Sequence, residues 1–358
     1  MLLKKAGKPV NAVPEHTAQA RDTRERYSRQ ILFRGIGATG QERLTAGHVA
    51  VVGCGATGAA AAGLLARAGV GTLTLIDRDY VEESNLQRQV LFDEQDVAEA
   101  LPKAEAARRK IARFNSEAVV HAHVADLAPA NIHELLGSAE LVLDATDNFE
   151  TRYLLNDYAV EQQKPWIYSA AVGAYAATMN ILPGETACLA CIFPEPPGGV
   201  VETCDTAGIL NAAVNFAASI AVTEAMKLLT GARDQLRRTL LSYDLWTHEF
   251  SEIKTTRPWP GCRACSERDF PHLRGEGRPH ITLCGRNSVQ IHEHHRPVDL
   301  TAMAERLRAH GNVRSNSMLL RFERGEHVLT VFTDGRAIIQ GTTDVAQARS
   351  LYARFIGS

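Results

Sequence analysis

Apolar positions along the chain fall into two periods, and the places where one gives way to the other mark the elements. His48 to Val52 and Thr72 to Ile76 are short, β-prone apolar runs. Between them lie the turn Gly53-Cys54-Gly55-Ala56-Thr57-Gly58 and an alanine-rich segment, Ala59 to Ala68. The order is strand, glycine turn, helix, strand. Lys103 to Phe114 carries apolar residues at helical spacing, Val119 to Val124 is β-like, and Glu140 to Ala145 predicts another strand. Phe149 to Gln163 predicts a helix, and Trp166 to Ser169 and Ala176 to Leu182 predict strands. Arg26 to Leu44 reads as helical in pieces. Leu240 to Lys254 alternates like one long strand. These patterns predict an α/β fold: a Rossmann-like, mostly parallel sheet with helices on both faces.

The pattern changes after Cys265. Ser266 to His280 is charged and broken by glycine and proline, which predicts a linker at 266–280. A small α+β unit is expected over 281–358. It has a strand-like run Ile281 to Ile291, a helix Leu300 to Ala309 and strands Met318 to Phe322 and His327 to Phe332. A turn at Asp334-Gly335 leads into Ala337 to Gln340, and the last helix presents Val345, Ala348, Leu351, Tyr352 and Phe355. Residues 1–25, with few large apolar groups, are expected to form a mobile arm. The proline-rich stretch Phe193 to Gly199 is expected to be an exposed loop leading to Cys204.

Length and charge narrow the classes. At 358 residues there is room for one large or two modest domains, here an expected main domain at 26–265. A net charge of −2 excludes a globally basic nucleic-acid binder, so no nucleic-acid partner is expected. The most apolar stretch, Leu210 to Leu229, is interrupted by Asn211, Asn215, Glu224 and Lys227, which predicts a buried or subunit-interface helix and no membrane span. Lys4, Lys5 and Lys8 precede no apolar segment, so no secretory signal is expected and the cytoplasm is the default compartment. Seven cysteines, four of them in Cys-x-x-Cys pairs, point to metal or redox chemistry before disulfides.

The glycine turn is the first candidate site. Gly53 permits a tight turn, Gly55 lets backbone approach a phosphate, and Gly58 lets the helix pack close, while the helix start offers free N–H groups. Asp77 follows near the roughly twenty-residue offset at which an acid reaches a ribose. Nicotinamide, flavin and ATP enzymes share this turn, so it does not say which nucleotide binds. The pairs Cys188/Cys191 and Cys262/Cys265 supply four thiolates, enough for a closed, structural Zn²⁺ site, against two separate redox dithiols.

Several ordered motifs together resemble the sulfur-carrier adenylyltransferases, bacterial relatives of ubiquitin-activating enzymes that serve molybdopterin and thiazole synthesis. They are Arg29-Gln30, the glycine turn, Asp77-Arg78-Asp79, Asn85-Leu86-Gln87-Arg88-Gln89, Pro102-Lys103 and Asp144-Ala145-Thr146-Asp147-Asn148. The resemblance covers roughly Arg26 to Cys265. It implies adenylylation by ATP of the C-terminal glycine of a small ubiquitin-fold sulfur carrier ending in Gly-Gly, with release of pyrophosphate. It also implies a homodimer, and a sulfur donor protein for the later transfer.

On this resemblance Arg88 and Lys103 hold the triphosphate, Arg29 reaches across the dimer interface, and Asp147 holds Mg²⁺. Asn85 and Gln89 join the nucleotide-binding set. Surface charge is the competing reading for Arg88 and Lys103. Asp79 is either a metal contact or a cap, and Asn85 either a phosphate contact or a turn-maker. The family carries the same two cysteine pairs. Cys204 looks like its crossover-loop cysteine, with a covalent role left open. Cys54 and Cys284 read as small core residues, and His292, His294 and His295 as a solvated turn. A nicotinamide-dependent oxidoreductase and a non-catalytic carrier-binding protein are the competing classes. Within the superfamily, a small molecule, a peptide or transfer RNA remains open as acceptor.

Overall fold

The structure is a computed structural model, and it describes residues 23–195, 207–276, 282–283, 288–291 and 298–356. Cys204, Cys284, His292, His294, His295 and most of the expected N-terminal arm lie outside the described residues.

Eight strands form the larger sheet: β1 (His48–Val52), β2 (Thr72–Ile76), β3 (Val119–His123), β4 (Leu141–Asp144), β5 (Trp166–Val172), β6 (Tyr175–Ile181), β7 (Thr239–Asp244) and β8 (Phe250–Lys254). Their order is β3-β2-β1-β4-β5-β6-β7-β8. The first five run parallel and the last three are added antiparallel. Strand order reverses beside β1, so the carboxyl ends of β1, β2 and β4 open on one crevice. β1 shows why the central strands β1, β2 and β4 are buried on both faces. Val49 and Val51 enter the core on one face with the helices Ala56–Arg67 and Lys103–Phe114, and Ala50 and Val52 enter the core on the other with Phe149–Glu161.

The alanines of Ala56–Arg67 keep that helix slim, and the long helix Asn211–Thr230 packs against it and against β5 and β6. Asn211–Thr230 is long and apolar enough to cross a membrane by length and composition, yet Ala213, Ala217, Ala218, Ala221 and Ala225 are buried in the core. It ends at Gly231, whose φ of 84° and whose N–H to Leu228 O close the last turn.

Two strand expectations need correction. Leu240 to Lys254 is a hairpin, β7 and β8, because residues 245–249 turn back with the Asp244 carboxylate accepting from Trp246 N and Thr247 N. Ile281 to Ile291 likewise divides into β9 (Thr282–Leu283) and β10 (Ser288–Ile291), paired antiparallel. With β11 (Asn312–Ser315), β12 (Leu319–Arg324), β13 (His327–Phe332) and β14 (Ala337–Gln340) they make a second sheet, β11-β12-β13-β14-β10-β9.

The second sheet is covered on both faces. Val289, Ile291, Leu320, Phe322, Leu329, Val331, Ala337 and Ile339 pack on the helices Leu300–Leu307 and Val345–Phe355. The alternate positions face the large domain, where Leu319, Phe332 and Ile338 surround Tyr80. Asn316 Nδ2 donates to Glu99 O at 3.0 Å, Arg321 Nη1 to Tyr80 Oη at 3.3 Å and Gln340 Nε2 to Glu82 Oε1 at 3.4 Å. Residues 266–276 of the stretch read as a linker lie against the helix Phe149–Glu161. Phe270 is buried there, and His272 stacks on Tyr153 at 5.1 Å.

The turn after β1 leaves little room for change. A Cβ on Gly58 would lie 1.8 Å from Gly53 O, backbone against backbone, whereas one on Gly63 would meet only Leu91 Cδ1 at 3.8 Å. We therefore expect Gly58→Ala to cost about 2 kcal/mol or more and Gly63→Ala to be neutral or to stabilise by up to about 1 kcal/mol. Urea unfolding of the two variants checks the contrast; equal effects would contradict it.

Candidate active site and cysteine cluster

Gly53 has φ of 87° and takes its N–H to Ile76 O, which draws the turn between the ends of β1 and β2. A Cβ there would meet Ala145 O at 2.8 Å, so the ends of β1, β2 and β4 are fixed together. A Cβ on Gly55 would meet nothing within 4 Å, which leaves that backbone open to a ligand.

Asp77 closes β2. Its carboxylate accepts from Cys54 N at 2.6 Å and from Asp79 N at 2.7 Å, so both oxygens are fixed by the turn they face. Burial pushes its pKa up, and Lys103 and the two backbone N–H groups oppose that rise. Lys103 opens the helix Lys103–Phe114 and is only 2% exposed. Its Nζ lies 3.3 Å from Asp79 Oδ2, and its N–H donates to Asp79 O at 2.8 Å. Arg78, between the two acids, pairs with Asp126 at 3.1 Å.

Asp147 is exposed beyond β4, within electrostatic reach of Arg78 and Arg152. Its loop is held by a pair the motif reading did not assign. Asp144 Oδ1 accepts from Thr146 N and Oγ1, Arg152 Nε lies 3.3 Å from Asp144 Oδ2, and Arg152 Nη2 donates to Thr146 O at 2.5 Å. Arg152 sits one helical turn beyond Asn148, whose side chain caps the helix by accepting from Thr151 N. An acid ending an apolar strand, followed eight residues later by arginine on a capped helix, was the available signal.

The remaining candidates are spread around this centre. Asn85 is buried in a capping box with Glu82. Arg88 is half-buried and donates from Nη1 to Ser84 O at 2.8 Å; among the described residues it makes no direct bond to Lys103 or Asp147. Gln89 is buried with its Oε1 unpartnered. Arg29 is exposed on the short helix Ser28–Ile31. Cys54 is a core residue whose thiol is pushed well up by burial.

The four cysteines converge. Cys188 Sγ lies 3.7 Å from Cys191 Sγ and 3.6 Å from Cys262 Sγ, and Cys191 Sγ lies 3.8 Å from Cys265 Sγ. All four sulfurs lie within 4.8 Å of one another. A tetrahedron with metal–sulfur bonds near 2.3 Å has edges of about 3.8 Å, so the spacing fits one divalent metal. Trp259 N and Cys265 N donate to Cys191 Sγ and Cys262 Sγ, an outer shell suited to thiolates.

A model of the ThiF family matches residues 27–264. The chain belongs to the ThiF family. It is 44% identical over 336 residues to the sulfur carrier protein ThiS adenylyltransferase of Bacillus subtilis (strain 168), covering 93% of this chain and 99% of that one. It is 39% identical over 244 residues to the SAMP-activating enzyme E1 of Haloferax volcanii, covering 68% and 89%. A crystal structure of E. coli MccB with MccA-N7isoASN superposes with a TM-score of 0.61 at 24% identity, covering 69% of this chain and 76% of that one, a likeness of fold. The ThiF match thus spans the glycine turn, Asp77, Asp79, Lys103, Asp147 and three of the four clustered cysteines, with Cys265 immediately after it.

Next to the cluster, Asp157 offers a pH test. Its buried carboxylate pairs with Arg263 at 3.4 Å and accepts from His272 N at 3.0 Å; burial outweighs these and lifts its pKa to about 6. The unfolded value is about 4. Between those values the folded state keeps a proton the unfolded chain has released, so this group's contribution to stability falls as pH rises through about 6. Asp157→Asn should therefore gain on wild type by on the order of 2 kcal/mol between pH 4 and pH 7.5. Urea midpoints at the two pH values read this, and an unchanged difference would contradict it.

Proposed function

We infer that this chain is an ATP-dependent adenylyltransferase that activates the C-terminal glycine of a small ubiquitin-fold sulfur carrier. The observation that carries the reading is the set Asp77, Asp79 and Lys103 locked around an open glycine turn in a ThiF-family chain. The nicotinamide reading is not favoured, because the family match extends far beyond the turn the two classes share.

In the proposed reaction a carboxylate oxygen of the carrier attacks the α-phosphorus of ATP, the bond from that phosphorus to the bridging oxygen breaks, and pyrophosphate leaves with the electron pair. An acyl-adenylate remains. The attacking carboxylate is already ionised at neutral pH, with a pKa of about 3.5, so no general base is needed. Asp77 accepts from the ribose hydroxyls, and the backbone beside Gly55 donates to phosphate. Lys103, exchanging Asp79 for phosphate, offsets the charge that builds on the departing group, together with Arg88. Arg29 acts from the second subunit of a homodimer. Asp147, on the loop fixed by the Asp144–Arg152 pair, would hold Mg²⁺, which would supply neutralisation of phosphate charge.

The cysteine cluster holds Zn²⁺ as a structural tie between the helix Leu189–Ile192 and the residues after β8. The cytoplasm, which keeps such thiols reduced, belongs to the same proposal. So do Cys204 as the candidate covalent link to the carrier and a separate sulfur donor protein.

ATP–pyrophosphate exchange tests the reaction. Exchange should require a carrier ending in Gly-Gly and Mg²⁺. Asp147→Ala should lower it by about 100-fold or more, while Cys204→Ala leaves it largely intact; equal loss in both variants would contradict the assignment. Removing zinc with a chelator should lower the melting temperature by about 5 °C or more, and a metal-free protein of unchanged stability would contradict a structural site.

A further inference from the structure

Along β14, Ala337 and Ile339 face the helices of the C-terminal unit, so Arg336, Ile338 and Gln340 face the large domain. Along β10, Val289 and Ile291 face those helices, so Ser288 and Gln290 face the large domain too. Of these, Gln290 reaches Asp126, just beyond β3, and Arg336 lies within electrostatic reach of Asp126 and of Asp79, just beyond β2.

Arg336 is fully buried, and among the described residues Nε, Nη1 and Nη2 have no hydrogen-bond partner. Its guanidinium lies 3.9 Å over the Phe332 ring, and the carboxylate of Asp334, in its own turn, is 3.7 Å from Nε. Asp126 and Asp79 attract it electrostatically and Arg78 repels it. Arg78 and Asp79 follow Asp77 directly, Asp79 contacts Lys103, and Asp126 pairs with Arg78. Gln290 Nε2 reaches Asp126 Oδ2 at 3.4 Å, and its Oε1 is buried without a partner. A buried guanidinium with no hydrogen bond and only a long ion pair is costly, and so is a buried amide oxygen without a donor.

The place identifies the ligand chemistry. In a strand–glycine turn–helix–strand unit, phosphates lie at the helix start and the sugar at the acid closing the second strand, so base and ribose lie toward β2 and β3. Adenosine offers acceptors in its ring nitrogens and ribose oxygens, for a guanidinium fork, and a donor in its exocyclic amine, for an amide oxygen.

We propose that Arg336, with Gln290 beside it, contacts the adenosine moiety of the bound nucleotide, so that the C-terminal unit forms part of the nucleotide site. This rests on the reading of the glycine turn and Asp77 as an ATP site.

Arg336→Met and Gln290→Leu test it in the full-length protein, by thermal melting and by calorimetric titration with ATP–Mg²⁺ and with inorganic tripolyphosphate. Without nucleotide, Arg336→Met should melt at or above the wild-type temperature, since a buried guanidinium with no hydrogen bond and only a 3.7 Å ion pair gives way to an apolar chain of similar length. Its ATP affinity should fall by about tenfold or more, with tripolyphosphate binding unchanged and Gln290→Leu showing a smaller loss for ATP alone. A variant that melts lower or fails to fold would make Arg336 a structural residue and overturn the proposal. Unchanged ATP affinity, or equal losses for ATP and tripolyphosphate, would overturn it as well. A wild-type protein that binds no ATP would defeat the underlying function too, which separates that failure from the others.

Discussion

The structure depends on satisfying acidic and basic side chains, wholly or largely removed from water, at the carboxyl ends of β2 and β4. Asp77, Asp79 and Lys103 on one side and Asp144 and Arg152 on the other are paired or bonded to backbone. Leaving any one of them without a partner costs several kcal/mol. That cost explains the surrounding detail: the positive φ of Gly53 aims Cys54 N at Asp77, and Asn148 starts the helix that carries Arg152 back to Asp144. The five parallel strands act as the rigid frame that holds these groups in register.

Two attachments extend the frame. The cysteine cluster ties residues after β8 to the middle of the large domain across 74 positions of sequence. The second sheet uses one face for its own helices and the other for Tyr80, Glu82, Glu99, Ala100 and Asp126. Its contact surface therefore lies along residues that follow β2 and β3 and along Glu99 and Ala100.

Much of this was legible in the sequence because it is local or periodic. The apolar runs gave β1 to β5, and the Gly53–Gly58 turn was legible because sterics at 1.8 Å leave only glycine at Gly58. The cysteines were legible as two pairs through their chemistry. What escaped depends on long-range contact or on weak local pattern. The β7–β8 turn carries no glycine or proline, and β11 is four residues with little apolar character. Arg152 and Arg336 are ordinary arginines in sequence, and only tertiary structure shows that both are buried and that, among the described residues, Arg336 makes no side-chain hydrogen bond. Residues 266–276 look like solvent-exposed chain by composition, yet Phe270 and His272 pack on the helix Phe149–Glu161.

A crystal structure with ATP and Mg²⁺ decides whether these strand ends form one nucleotide site. Ribose hydroxyls are expected on the Asp77 carboxylate, phosphate over the Gly55 backbone, and Lys103 drawn from Asp79 to a phosphate oxygen. Nucleotide bound elsewhere, with the Lys103–Asp79 contact of 3.3 Å intact, would contradict this arrangement.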